Sequence, residues 1–318
     1  ALCFFSTSSP DAASGCGGFK EALSKYVCAD GKCYADVFIN TIKFSLFSIR
    51  ACALDDLTKL NITVLQAYTL YRSYQEWYEN FDGMSAVEVA YSVSLPEFDG
   101  IIHSCPVTTV ERDAEGKQVT QEIAERMNML VRKAKKLALL RIKPNAEKKI
   151  AIVFHNHPST NSNIGSCAAI DSIESVRLLL QDLRDAGYVI DHIPADRQEF
   201  IDELIAGATN DRDYMSEKQI DNADAKLLVS AYRDYYRTLP EKVQQRLAND
   251  WGEAPGEVFF YDDFLLIPGT MNGNIFITMQ PPRGFGEDPD KIYHSPDCAP
   301  THHYLGFYHW LRDIWGAD

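Results

Sequence analysis

The chain has 318 residues, 46% of them apolar and 24% charged, the make-up of an ordinary globular protein. That length exceeds one typical core, so two domains are expected. A formal charge of −14 argues against a nucleic-acid partner, which calls for concentrated basic surface, and no apolar run reaches the length of a membrane span.

In chain order, residues 2–6 read as a strand, 19–26 as a helix, 35–40 as a strand, 52–60 as a helix and 63–67 as a strand. Helical patterns follow near 74–80 and 85–94, then a strand at 100–104. Such alternation argues for a largely parallel sheet covered by helices. The longest helical pattern spans 118–142, with Ile123, Met127, Leu130, Ala134, Leu137 and Ile142 at near-helical spacing and Pro144 ending it. Its other face carries Arg126, Arg132, Lys133, Lys135, Lys136 and Arg141, which suits either an anionic partner or a solvated surface. These elements make a first domain at 1–146, closed by the long helix.

The pattern restarts over a second domain at 147–318. Residues 149–155 form a nearly continuous apolar run, as a buried parallel strand requires. A helix with Ile173, Val176, Leu180 and Leu183 on one side stops at Gly187, a residue suited to the position after a helix end. A strand at 188–193, a helix at 198–205 and a polar, helical insertion around 206–250 come next. Strands at 264–267 and 274–279 flank a Gly-Thr-Met-Asn-Gly turn. The expected architecture is α/β: two Rossmann-like domains with mainly parallel sheets flanked by helices, joined by the long helix.

Eight cysteines (Cys3, Cys16, Cys28, Cys33, Cys52, Cys105, Cys167 and Cys298) are scattered without a C-x-x-C pair. A secreted disulfide scaffold is shorter and denser in cysteine, and the N-terminus lacks the marks of a signal peptide, so reduced thiols in the cytoplasm are expected.

Three groups of residues carry candidate chemistry. His155, Asn156 and His157 end a buried strand. If the strand continues through them, both imidazoles point to one side, to share a metal, a proton or a ligand edge. Bonding of both histidines to loop backbone is the plain alternative. In Gln280–Glu287, Pro281 and Pro282 stop the strand, Gly284 and Gly286 permit close approach of backbone to a ligand, and Arg283 offers a planar fork for a carboxylate. The third group is His294, Cys298, His302, His303 and His309, with Thr301 as the cap of a closing helix. The first helical turn favours neutral imidazole at His302 and His303, the form that ligates metals or accepts protons. Tyr304, Phe307, Tyr308, Leu311 and Trp315 recur at helical spacing, as core packing or as a wall for a flat ligand. No G-x-x-x-x-G-K-[ST], G-x-S-x-G or H-E-x-x-H pattern occurs, so ATP hydrolysis by a P-loop in this chain is not expected.

The runs KPNAEKKIAIVFHNHPSTNSNIGS, SVRLLLQDLRDAGYVID, NDWGEAPGEVFF and NIFITMQPPRGFGEDPDKIYHSPDCAPTHHYLGFYHWL closely resemble the large subunit of cobaltochelatase. The large subunit of magnesium chelatase is similar but more distant, and the run VLQAYTLYRSYQEWYENFDGMSAVEVAYSVSLPEFDGII resembles both. The resemblance implies a ligase-type chelatase subunit that binds a tetrapyrrole and a divalent metal, cobalt or magnesium. Separate AAA+ ATPase subunits would then use MgATP to drive insertion. Cobalt insertion into a corrin precursor for cobalamin is the first expectation. Magnesium insertion into protoporphyrin, haem dechelation, or a non-catalytic docking or binding role are the alternatives. The family subunit is far longer, which implies an internal fragment. In the family a segment with an H-G-x-x-E-x-x-P-G-K motif follows a helix like 302–315, whereas this chain ends at Asp318, so the fragment alone is expected to be inactive. Where family members carry a glycine-rich run, this chain has IKFSLFS at 42–48. On this footing His302 and His303 are the expected catalytic residues. Arg283, Gly284, Tyr304, His155, Asn156 and His157 are expected to hold the substrate, and His294 and His302 the metal.

Overall fold

Four interior residues of Thr63–Thr69 are buried in a row, as a strand with a parallel neighbour on each side requires. The computed structural model describes residues 27–29, 32–43, 61–80, 83–284 and 298–318. The elements expected at 2–6, 19–26 and 52–60 lie outside them. The described residues fall into two units divided between Ile142 and Lys143.

In the first unit, β1 (Cys28–Ala29) and β2 (Lys32–Cys33) pair as a small antiparallel hairpin. The main sheet has the order β3 (Val37–Asn40), β4 (Thr63–Thr69), β5 (His103–Arg112), β6 (Gln118–Glu122). The first three are parallel and β6 runs antiparallel to β5. Short helices α1 (Tyr74–Glu79) and α2 (Ala86–Val89) each start in a reciprocal cap, Ser73 with Glu76 and Ser85 with Glu88. A π turn and α3 (Leu95–Phe98) continue from α2.

The long helix, α4 (Ala124–Ile142), starts later than its pattern suggests. Asp113 Oδ1 accepts the amides of Glu115 and Lys117, and Gly116 takes φ 78°, so the chain doubles back after Arg112. Residues 118–122, expected as the first helical turns, therefore zip onto β5 as the edge strand β6. The expected stripe does pack: Met127, Leu130, Ala134 and Leu137 cover Leu65, Ala67, Cys105 and Val107. Ile142 is 72% exposed and takes no part. Arg132, Lys133, Lys135, Lys136 and Arg141 are exposed, and Arg126 is half-buried over the Trp77 ring.

In the second unit, β7 (Ile150–Phe154) is parallel to β12 (Ile275–Met279), and β12 is antiparallel to β11 (Gly269–Asn272). A second sheet of order β8 (Lys226–Leu228), β10 (Phe264–Leu266), β9 (Phe260–Tyr261) is antiparallel throughout. Both units are thus mixed α/β, with the longer parallel run in the first. The helices are α5 (Ser172–Asp185), α6 (Arg197–Ala206), α7 (Glu217–Asp221), α8 (Val229–Arg237), α9 (Glu241–Trp251) and α10 (His302–His309). The insertion expected to be helical thus also contributes the strand β8.

Side chains of β12 alternate between two cores, as a pleated strand dictates. Ile275 and Ile277 join Phe154, Ile173, Leu180, Phe200 and Leu204 under α5 and α6. Phe276 points the other way, into Leu227, Leu265, Tyr232, Phe307 and Trp310. Burying Phe276 fully contributes roughly 1.5–3 kcal/mol by its apolar area alone.

The strand expected at 188–193 does not form. The Asn272 side chain takes the place of a strand partner: Oδ1 accepts the amides of Asp191 and His192, and Nδ2 donates to the His192 carbonyl. The segment is thereby tied to the β11–β12 turn as a loop. Among the described residues no helix is long and apolar enough to cross a membrane.

Candidate functional site

Ligands of parallel α/β sheets collect beyond the carboxyl ends of the strands. β7 and β12 end side by side, Phe154 opposite Met279, and the Gln280 amide donates to the Phe154 carbonyl. Both chains then turn polar. Asn156 is buried, its Nδ2 donating to the Thr160 carbonyl at 2.8 Å. Asn210, 3% exposed, bridges the two strand ends: its Nδ2 donates to Asn156 Oδ1 at 3.1 Å and to the Gln280 carbonyl at 2.9 Å. Asp211 beside it accepts the Asn161 amide at 2.9 Å. Among the described residues no donor reaches the buried amide oxygens of Asn210 and Asn161, an arrangement that invites a further donor.

One layer outward, Gln280 is held between two tyrosines of α10. Its Nε2 donates to the Tyr304 hydroxyl at 3.1 Å, and the Tyr308 hydroxyl donates to its Oε1 at 3.0 Å. The two rings sit 5.1 Å apart at 51°. Burial raises the pKa of Tyr308, while the bond to Gln280 and the positive charge of Arg283 act against it. Arg283 is exposed and Gly284 half-buried, on the segment that leaves β12. Chemically this is a ledge of aromatic faces and hydroxyls with a guanidinium beside it. It is suited to a flat ligand that carries carboxylates.

The expected residues divide. Arg283, Tyr304 and Asn156 gather at the strand ends. His155 and His157 do not act as a strand pair, because β7 stops at Phe154 and the chain turns there. His155 is exposed and its Nδ1 donates to the Ser166 carbonyl at 3.2 Å, the backbone-bonded alternative. His157 is half-buried. His294 lies outside the described residues.

Thr301 caps α10 as expected, accepting the Tyr304 amide at 3.0 Å. The roles expected for His302 and His303 need correction. His302 is 2% exposed; its Nε2 donates to the Gly252 carbonyl at 2.9 Å and its Nδ1 accepts from the Tyr232 hydroxyl at 2.7 Å. No ring nitrogen is left for a metal. His303 is 1% exposed, stacked 4.2 Å from the Phe259 ring, with Nε2 donating to the Leu266 carbonyl at 2.9 Å. It presents no surface to a macrocycle. Burial lowers the pKa of both, that of His303 to about 4. Burial, rather than the helix terminus, is the main influence that favours neutral imidazole in this turn. His309 stacks on Tyr235 and bonds Asp313 at 2.8 Å. The aromatic stripe splits as well: Phe307 and Leu311 enter the core, and Tyr304 and Tyr308 face Gln280.

Sequence reasoning missed Asn210, Asp211 and Tyr232. The one signal for the first two is the Thr-Asn-Asp run just after Ala208, unusually polar for residues that turn out to be buried.

A family model, CobN/Magnesium Chelatase, matches residues 1–318. The chain belongs to the CobN/magnesium chelatase family. Within the family it is 31% identical to the aerobic cobaltochelatase subunit CobN of Pseudomonas aeruginosa, over 89% of this chain and 23% of that protein. An uncharacterized protein of Methanocaldococcus jannaschii is 37% identical over 95% of this chain and 25% of its own length. The chloroplastic magnesium-chelatase subunit ChlH of Oryza sativa is 29% identical over 84% and 18%. Among solved structures, the catalytic subunit of cobaltochelatase from Mycobacterium tuberculosis superposes with a TM-score of 0.75 at 31% identity, over 89% of this chain and 25% of that one. The chain spans about a fifth to a quarter of the length of these relatives.

Proposed function

We propose that this chain contributes part of the tetrapyrrole-binding surface of an ATP-dependent metal chelatase, with cobalt insertion into a corrin precursor as its reaction. The observation that carries the reading is the Gln280 clamp between Tyr304 and Tyr308, with Arg283 alongside, at the carboxyl ends of two parallel strands. The tyrosine faces would support the macrocycle. Arg283 would pair with one of its carboxylates, Gly284 would let backbone approach, and Asn156 would hold the strand end in place. The divalent metal is the second substrate. MgATP would be used by separate AAA+ subunits, in keeping with the lack of a P-loop pattern here. Cytoplasmic action and a Rossmann-like fold of the two units go with this reading. The parallel pairs β3–β4–β5 and β7–β12 support the latter.

The test is a spectral titration of the full-length protein with a corrin precursor and with protoporphyrin, comparing wild type and Arg283→Ala. The reading expects a preference for the corrin and a loss of affinity in the variant. Binding of both macrocycles by Arg283→Ala as tight as by wild type would remove Arg283 from the site.

A further inference from the structure

The loop between α5 and α6 and the first turns of α6 place three metal-binding side chains together, well away from Gln280. Glu199 and Glu203 are one turn apart on α6, a spacing that puts them on one face of the helix. His192 reaches them from the loop that Asn272 ties down, with Nε2 2.9 Å from Glu203 Oε1. One ligand atom from each of the three residues lies within 4.8 Å of the other two. We propose that His192, Glu199 and Glu203 bind a divalent transition-metal ion.

Three features beyond the cluster itself support a site. The first is that the backbone under each ligand is fixed without help from a metal. Asn272 makes three hydrogen bonds to the backbone of Asp191 and His192, and Asp191 in turn accepts the Gly273 amide. Asp196 caps α6, accepting the amides of Gln198 and Glu199. An ion about 2 Å from each ligand atom therefore asks only for small rotations of side chains, not movement of the chain.

The second is room for further ligands. His192 and Glu203 border a cavity of about 400 Å³ that also exposes Asp191, Asn222 and Asp224. Three protein ligands with open space beside them is the layout of a site that keeps a position for water or a small ligand. The third is ligand chemistry. Imidazole with two carboxylates selects zinc, cobalt or manganese over magnesium and calcium, which prefer oxygen alone. Asn272 faces Ile275 at the start of β12, whereas Gln280 follows its end, so the two sites lie at opposite ends of that strand.

The proposal stands apart from the tetrapyrrole reading and is tested without any macrocycle. The full-length protein is titrated with cobalt(II), followed by visible absorption, and with zinc by calorimetry. Wild type is compared with His192→Ala and Glu203→Gln, all checked by circular dichroism. The expected result is one ion bound at this site by wild type that magnesium displaces poorly. Each variant should weaken it at least about tenfold, the lower end of what even an outer-shell change produces. Saturating zinc should raise the urea midpoint of wild type but not of His192→Ala. Unchanged stoichiometry and affinity in both variants, or displacement by equimolar magnesium, would overturn the site and leave a simple ion pair between His192 and Glu203.

Discussion

The Tyr232 hydroxyl donates to His302 Nδ1 across 2.7 Å, inside a core that leaves Tyr232 no exposed surface. With Nε2 donating to the Gly252 carbonyl, the imidazole is held as one neutral tautomer with both nitrogens satisfied. Burial raises the pKa of the tyrosine and lowers that of the histidine, so each stays neutral and the bond keeps one direction. The pair joins α8 to the first turn of α10. Tyr232→Phe removes the donor and leaves Nδ1 buried and unpaired, which costs about 1–3 kcal/mol. Urea unfolding measures it, and an unchanged midpoint would show that the bond contributes nothing to holding α10.

His303 should make the second unit sensitive to acid. Its pKa falls from the ordinary histidine value of 6.5 to about 4 because the ring is buried. The unfolded chain therefore takes up a proton that the folded chain refuses between those values. Stability is full above pH 6.5 and is lost as pH falls toward about 4, by about 3 kcal/mol over the window. His302, shifted the same way, adds to the slope. Urea midpoints of wild type and His303→Phe, measured from pH 7 to pH 4.5 or so, should converge as the pH drops. Parallel curves would mean that His303 does not carry the effect.

How far the sequence speaks for this structure depends on whether a signal is local. Thr301 as a cap, the α4 stripe and the strand at 274–279 were legible because capping and periodicity act over a few residues. Residues 118–122 misled because helix and edge strand were both open to them, and the turn at Asp113–Gly116 decided the matter from upstream. Residues 188–193 look like a strand, but one distant side chain, Asn272, takes up their backbone. At the site, Arg283 and Tyr304 could be named from proline, glycine and aromatic content. Asn210, which joins both strand ends, was beyond reach because only the fold brings it within 3.1 Å of Asn156.

Cys28 and Cys33 face each other across the β1–β2 hairpin, one pair inward from the Tyr34 amide that donates to the Val27 carbonyl. In an antiparallel ladder the pair next to a hydrogen-bonded one is the close type, with Cα atoms about 4.5 Å apart, within the span of a disulfide. Burial and the neighbouring Cys33 raise the pKa of Cys28, which slows attack at neutral pH. Oxidised glutathione should therefore form the bond faster at pH 8.5 or so than at pH 7, releasing two glutathione thiols per bond. Mass spectrometry of the unreduced protein should show a Cys28–Cys33 link that is absent in Cys28→Ser. Stable mixed disulfides with glutathione at both positions would show that the thiols do not meet.

Tyr308 separates the ledge at Gln280 from the core beneath it. Phe307 beside it is fully buried, while Tyr308 is 39% exposed and its hydroxyl donates to Gln280 Oε1. Tyr308→Phe keeps the ring and deletes that donor, and Gln280 stays bound to Tyr304 through Nε2. The fold should lose no more than about 1 kcal/mol, since the freed amide oxygen is near water. If Gln280 positions the ledge for a macrocycle, affinity for the corrin precursor should fall about fivefold, the equivalent of one neutral hydrogen bond. The difference in kind is the test: binding falls while the urea midpoint hardly moves. A variant that binds as wild type does would take Gln280 and its two tyrosines out of the recognition surface, whatever the fate of Arg283.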